Sequence, residues 1–222
     1  MNGYYSRKLH SLLGVIPLGL FFIEHALTNF GAFEGGLARF NAGVKLLNDL
    51  PLLYVLEWVL IYIPLIYHGV FGLYIAYQAK PNNGRFQYSR NWRYTFQRIT
   101  GVITFVYVVW HVYETRVQLA LGHLTHEELA GTMHNIMIQP GLFTLYLIGV
   151  ISASFHFANG LWSFLVSWGI TVGPRAQRVS SYICMTMFVL VALMFVLSMV
   201  AFRRAEFQEA TALLDTVKLV LS

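Results

Sequence analysis

The sequence predicts an all-α membrane protein: a bundle of five transmembrane helices, N-terminus inside and C-terminus outside. Three observations carry this reading. Of the 222 residues, 57% are apolar and only 11% charged, whereas a soluble domain carries roughly 25% charged residues. The charges are segregated: residues 129–174 and 179–202 carry none, and 11–30 and 52–79 carry only Glu24 and Glu57. Each run reaches the length of about 20 residues needed to cross a bilayer. A backbone in lipid must satisfy its own hydrogen bonds, which makes each crossing helical. The composition excludes disorder, a disulfide scaffold and nucleic-acid binding, despite a net charge of +5. The single cysteine, Cys184, can neither close an internal disulfide nor hold an iron–sulfur cluster.

The five spans fall at about 10–30, 52–79, 94–117, 139–168 and 178–202. The first follows Arg7 and Lys8, but it is longer than a signal-peptide core and lacks a small-x-small cleavage site. It is therefore expected as a retained helix. The third is the least apolar, with Arg93 and Arg98 in its first turns and Glu114 and Arg116 near its end. Arginine at a helix end snorkels to the interface, so the span stands. Three connecting segments have helical periodicity of their own. Leu37, Phe40, Val44 and Leu47 mark 37–47. Thr125 and Glu128 have capping-box form ahead of Leu129, Met133 and Ile136, marking 125–137. Phe207, Leu213, Leu214, Val217 and Leu221 mark 204–221. These are expected as amphipathic helices, lying on the outer surface or packing against the span ends. Without a repeat or a linker, 1–222 is read as one transmembrane domain.

Orientation follows from charge. With five spans, one face collects Arg7, Lys8, Lys80, Arg85, Arg90, Arg93, Arg98, Arg175 and Arg178, and none of the ten acidic residues. That face holds nine of the 15 basic residues, so the positive-inside rule places it, with the N-terminus, on the inside.

Four of the eight histidines lie within spans, one in each of the first four: His25, His68, His111 and His156. Ionisable groups at membrane depth mark functional sites. Span direction sorts them into two levels: His68 and His156 in the inner half, His25 and His111 in the outer half. At about 1.5 Å per residue the levels are roughly 10 Å apart. Two imidazoles from opposing helices suit the axial positions of haem iron, giving an electron-transfer centre without an open site. A mononuclear zinc or iron site would be short of ligands. Gly149, Ser152 and Gly160 share a helical face with His156, and Gly72 lies four residues after His68; together they suit a slot for a flat macrocycle, or simply close helix packing. No Cys-x-x-Cys-His is present, so such a haem is held non-covalently. His10, at the inner interface beside Ser11, is within reach of a haem carboxylate. His123, His126 and His134 are expected as solvated loop residues.

The segments Arg7-Lys8-Leu9-His10-Ser11-Leu12-Leu13-Gly14, Pro64-Leu65-Ile66-Tyr67-His68-Gly69-Val70, Gln97-Arg98-Ile99-Thr100-Gly101 and Phe155-His156-Phe157-Ala158-Asn159-Gly160-Leu161-Trp162 resemble the di-haem cytochrome b membrane-anchor subunit of succinate dehydrogenase. The likeness is to the single-chain, five-span type found in Bacillus and runs from about residue 4 to 200. It implies a multi-pass subunit in a bacterial cell membrane, carrying a flavoprotein and an iron–sulfur subunit on the cytoplasmic side. Succinate is then oxidised in the flavoprotein, and electrons pass through two haems b to menaquinone. The resemblance implies His68 and His156 as ligands of the inner haem and His25 and His111 as ligands of the outer one. Arg98, His10, Ser11 and Trp162 are the candidates for the inner haem carboxylates. Glu57 and Glu24 are the candidates for proton delivery to the quinone at the outer side, with Asp49 near them. Glu24 departs from the neutral amide expected before His25. Three alternatives stay open: a quinol:fumarate reductase cytochrome b subunit, the cytochrome b subunit of a hydrogenase or formate dehydrogenase, and a non-redox membrane transporter.

Overall fold

The computed structural model describes residues 3–209, and every regular element among them is helical. In order these are α1 (Gly3–Val15), α2 (Pro17–Asn48), α3 (Leu53–Glu57), a π-helical turn (Trp58–Tyr62), α4 (Ile63–Tyr77), α5 (Ser89–Val112), a second π turn (Tyr113–Val117), α6 (Gln118–Ala120), α7 (Leu129–Met137), α8 (Pro140–Ser167) and α9 (Pro174–Ala201).

Four stretches are long and apolar enough to cross a membrane: Gly3–Asn48, Leu53–Tyr77, Pro140–Ser167 and Pro174–Ala201. Their outer faces agree with that environment. On α4, Ile63, Ile66, Val70 and Tyr74 form an exposed stripe at helical spacing, a surface that water would not tolerate and lipid does. The remaining long helix, α5, has 24 residues and is about 36 Å long at its rise per residue. Arg90, Arg93 and Arg98 reach ten residues into it, and its crossing is taken up with the proposed function.

The first long stretch is jointed twice. At Pro17 the helix continues, because Ile16 N still donates to Leu12 O at 2.9 Å and Leu20 N to Ile16 O at 3.2 Å. Proline begins α2, where its missing N–H costs little. At Gly35 and Gly36 the helical path breaks (φ/ψ −140/18 and 63/−151). The second of these conformations is essentially restricted to glycine. Beyond the break, 37–48 runs as a separate helical segment.

The described helices divide into two compact units, one from 3–23, 54–106 and 150–192, the other from 24–53, 107–149 and 193–209. In the first, α1 packs on α4 and α8 contributes the small buried residues Ser152, Ala153, Ser154 and Ala158. Small side chains let backbones approach, which substitutes for the hydrophobic drive absent between helices in lipid. In the second, α7 buries Ala130, Met133, Ile136 and Met137. The segment expected at 125–137 therefore packs into the protein. Its capping box is half formed: Thr125 N donates to the Glu128 carboxylate at 2.7 Å. Phe40 of the 37–47 segment is buried edge-on against Phe202, ring centres 5.0 Å apart. Of the segment expected at 204–221, residues 205–209 are helical and Phe207 is fully buried; 210–221 lie outside the described residues. His134 is a correction to its expected solvated state, being buried with Nδ1–H donating to Phe202 O at 2.8 Å.

Candidate functional site

Each unit contains one pair of span histidines. In the first unit His68 (α4) and His156 (α8) face each other with ring centres 6.1 Å apart. Both rings are fixed by a backbone carbonyl. His68 Nδ1 lies 2.9 Å from His10 O, and His156 Nδ1 lies 3.0 Å from Gln97 O. A carbonyl only accepts, so a proton on Nδ1 suits both rings and leaves Nε2 its lone pair for a metal, although at His156 the Gln97 side-chain Nε2 also lies 3.2 Å from Nδ1. Close glycines seat the rings. A Cβ at Gly14 would enter the His68 ring, and one at Gly101 would lie 2.8 Å from His156 Cε1. Gln97 is itself held, donating to His156 O at 3.0 Å and accepting from Asn159 Nδ2 at 2.6 Å. Asn159 in turn accepts from Arg93 Nε at 2.6 Å. Above His68 the His10 ring stacks in parallel, 4.0 Å between centres.

In the second unit His25 (α2) and His111 (α5) stand 5.9 Å apart. His25 has Asn29 beside it, with Nδ2 3.4 Å from its Nε2 and donating to its carbonyl at 2.8 Å. His111 is placed differently. Its Nδ1 lies 3.3 Å from the Tyr146 hydroxyl, which donates to the Glu114 carboxylate at 2.8 Å. Glu24, next to His25, accepts from Thr28 Oγ1 at 2.5 Å.

These separations have a chemical meaning. An imidazole nitrogen binds a metal at about 2 Å and lies about 1 Å from its own ring centre, so two axial imidazoles on one metal put their centres about 6 Å apart. Both pairs meet that requirement. Among the described residues no three His, Cys, Asp or Glu side chains gather as a metal site. Two imidazoles alone suit a metal whose remaining positions a macrocycle fills, and the residues present fit a haem in each unit.

The expected carboxylate-binding residues divide. His10 Nδ1 and Arg98 Nε are buried without a hydrogen-bond partner among the described residues, and Arg98 otherwise donates to Tyr94 O at 2.7 Å. Ser11 and Trp162 are engaged in packing. The Ser11 hydroxyl donates to Lys8 O and accepts from Trp168 Nε1, and Trp162 Nε1 donates to Gln177 O at 3.0 Å. Arg93 was not expected at the haem carboxylates, yet it lies over the Trp162 ring at 3.9 Å and keeps a buried Nη2 without a hydrogen-bond partner among the described residues. Glu57 ends α3 at the first π turn, half-buried; Asp49 is exposed and pairs with Lys45 at 3.0 Å. The residues expected to open a slot accommodate side chains around the imidazoles: Gly72 faces His10, Gly149 faces Tyr107 and Gly160 faces Gln97.

Residues 77–201 match the family described as succinate dehydrogenase/fumarate reductase transmembrane subunit. The chain is also similar to the succinate dehydrogenase cytochrome b558 subunit of Bacillus subtilis (strain 168), 48% identical over 186 residues, which cover 84% of this chain and 90% of the relative. With more than half the chain matched by the family and 48% identity to that relative over 84% of it, the protein belongs to the succinate dehydrogenase/fumarate reductase transmembrane subunits.

Proposed function

We propose that the chain is the di-haem, quinone-reactive subunit of a succinate dehydrogenase. In this reading five helices cross a bacterial cell membrane, α5 among them, with the N-terminus in the cytoplasm. A flavoprotein subunit oxidises succinate on that side, an iron–sulfur subunit delivers the electrons, and menaquinone accepts them. Haem b held between two imidazoles supplies reversible one-electron transfer with no open coordination position. The observation that carries the reading is the presence of two imidazole pairs at 6.1 and 5.9 Å.

Each of the chain's own residues has a task. His68 and His156 hold the inner haem, with the His10 and Gln97 carbonyls fixing their orientation. His25 and His111 hold the outer one. His10 and Arg98, with Arg93, offer buried donors to the haem carboxylates, and Ser11 and Trp162 shape the helix contacts around them. Glu57 and Glu24 move protons to the quinone at the outer side. The reverse direction, fumarate reduction by a quinol, uses the same groups, and the family's description spans both. A reduced-minus-oxidised absorption spectrum of the complex, with haem extraction, tests the reading. Two low-spin haems b per chain are expected; a chain without haem bands belongs to the non-redox alternative.

A further inference from the structure

The two imidazole pairs differ in what lies behind them. On the inner pair each Nδ1 lies against a neutral backbone carbonyl, with the neutral Gln97 side-chain amide also 3.2 Å from His156 Nδ1. Behind His111 stands a hydroxyl backed by a carboxylate: Nδ1 to Tyr146 Oη at 3.3 Å, and Tyr146 Oη to Glu114 Oε2 at 2.8 Å. The arrangement is built rather than incidental. Tyr146 is only 3% exposed, and its hydroxyl lies between His111 and Glu114. Tyr107 packs edge-on against Tyr146 at 5.3 Å and lies nearly parallel to His111 at 5.8 Å. Tyr107 in turn occupies the space that a side chain at position 149 would take. Glu114 belongs to the π turn Tyr113–Val117 that follows the His111 helix, a local widening frequent at functional sites. Within it Thr115 donates to His111 O at 2.7 Å.

An acceptor behind a metal-binding imidazole raises the basicity of the nitrogen on the metal, and a charged acceptor does so more strongly than a neutral one. We propose that Tyr146 and Glu114 are positioning residues that set the electron affinity of the outer haem through His111. They draw the Nδ1 proton outward, strengthen Nε2 as a donor, and favour the oxidised centre. The inner pair, whose Nδ1 neighbours among the described residues are neutral groups, lacks this bias. This rests on the two-haem reading above.

The test is a redox titration, followed by absorbance, of membranes holding the complete complex. Glu114→Gln keeps an acceptor for the tyrosine and removes the charge. It should shift the outer centre about tenfold toward its reduced form, a rise of about 59 mV for one electron, while the inner centre stays in place. Tyr146→Phe should shift it in the same direction and at least as far, and Glu114→Asp should restore most of the original value. Adding Glu114→Gln to Tyr146→Phe should then change nothing, since the carboxylate acts through the hydroxyl. An unmoved outer potential in Glu114→Gln, an equal shift at both centres, or a full extra shift in the double variant would each overturn the inference. So would loss of the outer haem from both single variants, which would mark a purely structural role. Two haems with unmoved potentials overturn this inference alone; absence of haem from the unmodified complex overturns the two-haem reading with it.

Discussion

At His156 the imidazole is fixed from two sides, by the Gln97 carbonyl on Nδ1 and by the close approach of Gly101. His68 is fixed by the His10 carbonyl and Gly14. Without one of the two rings, a haem held there would keep only one histidine ligand from the chain. His156→Ala should therefore remove chiefly the inner haem, leaving the outer absorption band in place; retention of both haems would end the ligand assignment. Glu57 poses a different question, because its position at the start of a π turn belongs to no imidazole pair. Glu57→Gln should slow quinone reduction at least tenfold, while haem content and succinate oxidation with an artificial acceptor stay unchanged. Quinone activity intact in both Glu57→Gln and Glu24→Gln would remove the carboxylates from the proton route. The histidine pairs were legible in the sequence because ionisable groups at membrane depth are rare and a helix converts residue number into depth. Their partners were not. A backbone carbonyl leaves no residue-type signal, and Tyr146 and Glu114 are 32 positions apart, each unremarkable alone.

At the scale of elements, the joint at Gly35–Gly36 shows how the second unit is closed. Past the break, Leu37 N is the first donor of a new helical segment, and the Glu206 carboxylate accepts it at 3.2 Å. Arg204 reaches the other end, donating to the Ala32 and Phe33 carbonyls at 3.3 Å each. One short stretch of chain thus satisfies orphan carbonyls before the break and an orphan amide after it. Gly36 makes this possible, since its φ of +63° suits glycine and a Cβ there would collide with the Glu206 carboxylate. Gly36→Ala should cost about 1–3 kcal/mol, read as a lowered midpoint of thermal unfolding in detergent, with Glu206→Gln milder because an acceptor remains. An unchanged midpoint in Gly36→Ala would show that the break carries no stability. The periodicity of Leu37, Phe40, Val44 and Leu47 made the second segment visible in the sequence. Its cap lies 169 positions away, beyond anything local pattern can reveal.

For the whole molecule, the uneven spread of charge is the property with the largest consequence. In the proposed five-span orientation nine of 15 basic residues share one face, and the positive-inside rule would then put His68 and His156 toward the cytoplasm and His25 and His111 toward the outside. The helical class was legible because an uncharged run of about 20 residues has few other uses. The division into two units, each with its own imidazole pair, was not, since it depends on which side chains meet. The proposed direction of transfer then has an energetic consequence. Menaquinone is a weak oxidant for succinate, so the reaction the family resemblance implies is uphill under standard conditions. Electrons entering inside and leaving outside move toward the positive side of an energised membrane. Crossing the full potential releases about 2.3 kcal/mol per electron per 100 mV, and proton uptake from the outside completes the same charge movement. In the proposed reading the membrane potential would thereby drive the step. An uncoupler should slow succinate-to-menaquinone transfer several-fold in intact cells or sealed vesicles, and leave activity with a soluble artificial acceptor unchanged. Equal rates with and without the uncoupler would place quinone reduction at the inner face, and the outer roles given to Glu57 and Glu24 would fall with it.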